Sequence, residues 1–133
     1  MMSTAGPSSP GDRPKLRVLV VDDQRDTARM LRLFIGNAGH EVHTAGTKAA
    51  ALELAGQMPF DILVADVRLP DGSGYELMAE LRARTPMKGI VFTGLSGLEE
   101  EARSRAAGFA AFLVKPFDLD RLVDTLEHVA RTD

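Results

Sequence analysis

Short apolar runs that stop abruptly at a charged or hydroxyl-bearing residue constrain this chain more than any other feature. Leu16-Arg17-Val18-Leu19-Val20-Val21 stops at Asp22-Asp23, and Ile62-Leu63-Val64-Ala65 stops at Asp66. Ile90-Val91-Phe92 stops at Thr93, and Phe112-Leu113-Val114 at Lys115-Pro116. Runs this short and this continuous are how strands buried on both faces read. A fifth segment, Glu41 to Ala45, alternates more and carries His43, as an edge strand does.

Helical periodicity fills the gaps. Gln24 to Ala38 puts Ala28, Leu31, Ile35 and Ala38 on one stripe, with Gly39 where a helix stops. Lys48 to Ala55 is a short Ala-rich helix closed by Gly56, and Tyr75 to Arg84 turns Leu77, Met78 and Leu81 inward. Leu98 to Ala107 has only Leu98, Ala102 and Ala106 for an inward stripe, which predicts weak anchoring. Asp118 is placed to cap a last helix with the stripe Leu119, Leu122, Val123, Leu126 and Ala130. Pro70-Asp71-Gly72-Ser73-Gly74 reads as a loop.

Strand and helix alternating five times predict an α/β fold, a (βα)5 doubly wound parallel five-stranded sheet with helices on both faces. Right-handed crossovers leave few topologies. The order 2-1-3-4-5 fits best, because it puts the Glu41 to Ala45 strand at an edge. The 133 residues suit one domain, expected over 16–131 after a Ser-, Gly- and Pro-rich tail, 1–15, expected to be disordered. That tail has no apolar h-region and is not a signal peptide. Apolar residues make up 44%, and none of their runs approaches the ~18 needed to cross a bilayer. Zero cysteines remove disulfide and thiolate chemistry and fit a cytoplasmic setting. A net charge of −3 offers no general attraction to nucleic acid or anionic membrane.

All strands of a parallel sheet end on the same rim, so Asp22, Asp23, Asp66, Thr93 and Lys115 converge there. The only strand that contributes nothing is the edge strand, ending in Ala45. Crowded carboxylates repel unless a cation joins them, and oxygen ligands with room for water suit Mg²⁺. A carboxylate can also attack phosphorus, and Asp66, on the central contributing strand, is the candidate nucleophile. Lys115 and Thr93 would then face charge on the transferring oxygens. Taken singly, each of these residues is more simply a cap, a loop residue or a surface lysine; the convergence of five carries the reading. Asp22 could also cap the first helix. His40 and His43 are an odd number apart and face opposite ways if extended, which speaks against a metal pair. Glu99-Glu100-Glu101 reads as a solvated face of a helix N-terminus. No Gly-rich fingerprint follows the first strand, so dinucleotide binding is disfavoured.

Val20-Val21-Asp22-Asp23, Leu63-Val64-Ala65-Asp66-Val67-Arg68-Leu69-Pro70-Asp71-Gly72-Ser73-Gly74, Phe92-Thr93-Gly94 and Leu113-Val114-Lys115-Pro116-Phe117 resemble bacterial response-regulator receiver domains. The resemblance runs from Leu16 to about Arg131, and the Gly-rich Thr93-Gly94-Leu95-Ser96-Gly97 loop is similar to receivers of hybrid histidine kinases. It implies a phosphorelay switch rather than a metabolic enzyme, in which Asp66 is phosphorylated from a sensor histidine kinase or phosphotransfer protein. It further implies Mg²⁺ held by Asp23, Asp66 and the backbone carbonyl of Arg68, with Asp22 acting partly through water. Lys115 would pair with the phosphoryl group, next to a cis Lys115–Pro116 bond. Thr93 and the aromatic Phe112 would switch, Phe112 by packing alone because it lacks the hydroxyl of the commoner Tyr. The Arg68 side chain stands where phosphoryl lifetime is tuned. With no further domain after the last helix, output is expected through protein docking, phosphoryl relay or a homodimer. The surface expected for it is the last helix-strand-helix face. A phosphorylation-independent adaptor is the alternative. An aspartyl-phosphate phosphatase would want an acid where Arg68 stands.

Overall fold

The structure, a computed structural model, describes residues 15–94 and 97–131. The expected tail therefore falls almost wholly outside the described residues, as do Leu95 and Ser96 of the Gly-rich loop. Five strands, β1 (Arg17–Val21), β2 (Glu41–Ala45), β3 (Ile62–Asp66), β4 (Lys88–Thr93) and β5 (Ala111–Val114), form one parallel sheet in the order 2-1-3-4-5. The helices between and after them are α1 (Arg25–Asn37), α2 (Lys48–Gln57), α3 (Gly74–Arg82), α4 (Leu98–Ala107) and α5 (Leu119–Arg131). The sheet order and the edge position of β2 are as the sequence predicts.

Alternation along the strands splits the core in two. Val18, Val20, Ile62, Val64, Ile90, Phe92 and Leu113 face α1 and α5, meeting Leu31, Ile35, Leu122, Val123, Leu126 and Val129. Leu19, Val21, Leu63, Ala65 and Val91 face the other way, onto Ala51 of α2 and Leu77, Met78 and Leu81 of α3. With β1, β3 and β4 buried on both faces, their polar residues are confined to the strand ends, and there the site lies. Gly39 ends the α1 segment at φ 102°, in the left-handed region, where a Cβ is strained.

Local boundaries differ from the sequence reading in several places. Helix α2 runs through Gly56 to Gln57, because Gly56 needs no left-handed backbone and the helix continues past it. Helix α3 begins at Gly74 with Ser73 as N-cap in a reciprocal capping box with Glu76, and it ends at Arg82. Part of the expected loop is ordered: Arg68 and Leu69 pair antiparallel with Ser73 and Gly72. In α5 Val129, not Ala130, completes the buried stripe. Asp118 does cap α5, accepting the Asp120 N–H at 3.0 Å.

The largest correction concerns α4. Leu98 is 86% exposed, and Ala102 and Ala106 are also exposed, so the expected inward stripe faces solvent. Ser104 is the one buried residue of α4, its hydroxyl donated to the Glu101 carbonyl at 2.7 Å. Glu100 is likewise not on a solvated face. It accepts the Tyr75 hydroxyl, and Arg103 lies over the Tyr75 ring, 4.9 Å from its centroid. Polar contacts, rather than an apolar stripe, fasten this helix to α3.

Candidate functional site

The C-terminal rim is assembled by backbone hydrogen bonds that continue the sheet past its strands. Asp22 donates its N–H to the Ala45 carbonyl at 3.0 Å, and Lys115 donates its own to the Thr93 carbonyl at 2.7 Å. These bonds hold the end of β1 against β2 and the end of β5 against β4. The peptide between Lys115 and Pro116 is cis.

A crevice of about 580 Å³ opens on this rim, lined by Asp23, Gln24, Asp66, Arg68, Pro70, Thr93 and Lys115 among others. Lys115 Nζ donates to Asp66 Oδ2 at 3.0 Å, with neither side chain fully buried. The same ammonium stands 5.0 Å from the centroid of the Phe92 ring. The Arg68 N–H approaches Asp66 Oδ1 at 3.5 Å, a long contact, while the Arg68 residue as a whole is exposed. Thr93 is buried, 2% exposed.

Asp22 sits behind the crevice rather than in its lining. It is 2% exposed; Oδ1 accepts the Gln24 N–H at 2.9 Å, and Oδ2 is buried with no hydrogen-bond donor among the described residues. Burial pushes its carboxyl above the ordinary range, the Gln24 N–H opposes that, and the Asp66 and Asp23 charges add to the rise. Asp22 thus braces the turn into α1 but does not cap the helix itself, whose N-cap is Gln24.

Among the described residues, no three carboxylate or imidazole side chains are gathered tightly enough to cage a metal by themselves. Mg²⁺ does not ask for such a cage: it binds through one or two carboxylates and keeps several waters. An all-oxygen donor set beside a buried carboxylate oxygen with no partner among the described residues fits that ion.

Of the residues singled out from the sequence, the crevice brings together Asp23, Asp66, Arg68, Thr93 and Lys115, with Asp22 adjoining. Phe112 is elsewhere: half-buried, it lines a groove with Glu101, Ser104, Arg105 and Phe109 beside α4. His40 is buried and structural, accepting the Leu16 N–H on Nδ1 at 3.2 Å and meeting Glu127 with Nε2 at 2.9 Å. His43 pairs with Glu41. The sequence reading passed over Gln24 and Asp71. Gln24 follows Asp22-Asp23 directly, and that adjacency is the only signal for it.

A doubly wound sheet with acids, a hydroxyl and an ammonium on its C-terminal rim is the CheY-like α/β architecture. Residues 18–127 match the family model for the response regulator receiver domain, and the chain belongs to that family, as the receiver domain of a two-component response regulator. The cell cycle response regulator CtrA of Brucella abortus (strain 2308) is 29% identical over 119 residues, 87% of this chain and 50% of that protein. The chain therefore spans about half the length of the curated relatives it matches. Among solved structures, the CheY-like receiver domain protein of Methanospirillum hungatei JF-1 is 29% identical, with a TM-score of 0.82 over 88% of this chain and 94% of that one. The chemotaxis response regulator CheY4 of Vibrio cholerae is 30% identical, with a TM-score of 0.82 over 87% and 99%. Receiver domains of this kind are signalling proteins rather than classical enzymes.

Proposed function

We propose that the domain accepts a phosphoryl group on the Asp66 carboxylate, from the phosphohistidine of a sensor histidine kinase or phosphotransfer protein, with Mg²⁺ bound beside it. The observation that carries this reading is the Lys115 ammonium 3.0 Å from Asp66 Oδ2 in an open crevice that Thr93, Asp23 and Arg68 also line. A carboxylate oxygen of Asp66 attacks phosphorus as the phosphorus–nitrogen bond of the donor breaks, and the electron pair leaves with the imidazole. Asp23, Asp66 and the Arg68 carbonyl would hold the ion, with Asp22 reaching it through water. Bound there, Mg²⁺ would neutralise charge on the transferring oxygens. Lys115 transfers its ion pair from the carboxylate to a phosphoryl oxygen, and the Thr93 hydroxyl donates to another. The exposed Arg68 side chain is free to govern access of water to the product.

Output follows from the face made by α4, β5 and α5. Thr93 and Phe112 are its switch residues, and it would dock a downstream protein or a second copy of the chain in the cytoplasm. Helix α4 has little apolar burial, and movable elements are drawn from such regions.

The test is intact-mass measurement after incubation with Mg²⁺ and a small-molecule phosphodonor. Wild type gains one phosphoryl group only when Mg²⁺ is present, and Asp66→Asn gains none. An unmodified wild type, with folding and Mg²⁺ binding verified, would sink the proposal.

A further inference from the structure

The turn that follows Asp66 is held at its tip by a contact that no motif announces. Arg68 and Leu69 pair with Ser73 and Gly72, leaving Pro70 and Asp71 as the turn between them. Asp71 reaches across to the start of α2. Its Oδ1 accepts the Lys48 N–H at 2.7 Å and its Oδ2 the Ala49 N–H at 2.9 Å. The Ala50 N–H goes to the Thr47 side chain at 3.0 Å, and the Ala51 N–H to the Thr47 carbonyl. The three donors Lys48, Ala49 and Ala50 that precede the helical ladder are thus satisfied, two of them by a residue from another loop. The N-terminal end of the helix also favours a negative charge. Consistent with that, the Ala49 and Lys48 N–H groups hold the Asp71 carboxyl below the ordinary range.

The same turn forms one wall of the crevice through Arg68, Leu69 and Pro70. Its return strand is anchored separately, by the Ser73–Glu76 capping box on α3. Without Asp71, the turn would keep that box and the burial of Leu69 in the core, but its tip would lose its hydrogen bonds to α2. The Lys48 side chain runs beside Gly72, and its ammonium pairs with Glu80 at 3.0 Å and with Glu76 Oε1 at 3.6 Å, the oxygen that accepts the Ser73 N–H; this supports the return strand, while the hydrogen bonds to Asp71 hold the tip.

We infer that Asp71 is a positioning residue for the metal site, clamping the 68–73 turn to the N-terminus of α2 so that the Arg68 carbonyl is held ready for Mg²⁺. The inference rests on the proposal that this carbonyl is a ligand. A backbone ligand has no rotamer of its own, so its placement depends entirely on what fixes the turn.

The test is Mg²⁺ binding by calorimetry, without phosphodonor, on the full chain. Asp71→Ala is expected to weaken binding about three- to tenfold, at or below the low end of what losing a supporting contact does to a metal site. Asp71→Asn, left with one acceptor oxygen, should fall between it and wild type. From the other side of the clamp, Lys48→Pro deletes a donor at the first helical position, where proline is accepted, and Thr47 before it is already extended. It should bind more weakly than Lys48→Ala, which loses the same side chain but keeps the N–H. Phosphorylation of Asp71→Ala should recover the wild-type rate at saturating Mg²⁺. If Asp71→Ala binds Mg²⁺ as wild type does, or loses maximal rate with its Mg²⁺ affinity intact, the positioning role is overturned. If wild type itself binds no Mg²⁺, the metal reading fails, and this inference with it.

Discussion

Gly74 is the residue that leaves least room around the proposed phosphoacceptor. Its N–H donates to the Val67 carbonyl at 2.8 Å, and a methyl group on its Cα would run into the carbonyl oxygen of Asp66. Backbone on both sides cannot swing away as a flexible side chain would. Gly74→Ala should therefore destabilise the fold by about 1–3 kcal/mol, the range for overpacking a tight site. It should also slow phosphorylation, because Asp66 must shift to make the space. Gly36, in α1, is the internal reference: a Cβ there meets nothing within 4 Å. Gly36→Ala should leave phosphorylation alone and raise stability by up to about 1 kcal/mol. Thermal melts and phosphorylation rates of the two variants check both statements; equal melting points would refute the crowding argument. At this scale the candidate site was largely legible, since Asp22-Asp23, Asp66, Thr93 and Lys115 each follow an apolar run. Asp71 and Gly74 were not, because their partners lie 22 or 23 residues away (Lys48 and Ala49) or on the backbone at the end of β3 (Asp66 and Val67), and neither relation leaves a periodic trace.

Among the elements, α4 is the exception to how the others are held. It buries no apolar residue of its own, and Gly97 before it supplies no side-chain cap. What fastens it to α3 is Tyr75, whose hydroxyl donates to Glu100 at 2.5 Å and whose ring lies edge-on to Phe109. Burial, and then the hydrogen bond and charge of Glu100, push the Tyr75 hydroxyl up to about 12. Tyr75 is the only tyrosine and there is no tryptophan, so near-ultraviolet absorbance follows this one contact. The sign of the linkage is definite: below pH 10 the phenol is protonated whether folded or not, and stability does not respond to it. Between pH 10 and about 12 the unfolded chain ionises first, so stability falls as pH rises. In Glu100→Gln the phenol should titrate lower than in wild type yet still above its ordinary value, because burial, the largest cause, remains. An unchanged titration would mean that Glu100 does not hold Tyr75. The sequence could not predict this fastening, because a helix held by polar contacts has no apolar stripe to read, and the stripe assigned to it points into solvent.

For the whole molecule, the two-sided core explains both what was legible and how stability is distributed. Strands buried on both faces must be apolar throughout, so β1, β3 and β4 declared themselves in sequence, and the sheet order followed from the one strand that alternates. Helices α1 and α5 declared themselves as well, since each lays a full stripe on the Val18–Val20–Ile62–Val64 face. On the opposite face α2 and α3 are pinned by Ala51, Leu77, Met78 and Leu81, whereas α4 adds only the partly buried Ala107. Local opening is governed by how much apolar contact must be broken. Helix α5, with Leu122, Val123, Leu126 and Val129 buried, can lose its hydrogen bonds only by exposing that core. Lys88 restrains it further by donating from β4 to the Val129 carbonyl at 3.0 Å. Native-state amide exchange should thus find the amides of α4 open well below the global unfolding free energy, and those of α5 close to it. Glu100→Gln should speed exchange in α4 and leave α5 unchanged, because the Tyr75 contact belongs to one helix and the core to the other. Equal protection of α4 and α5 in wild type would show that α4 is held as firmly as the core, and the proposed output face would then have to move as one body with the sheet.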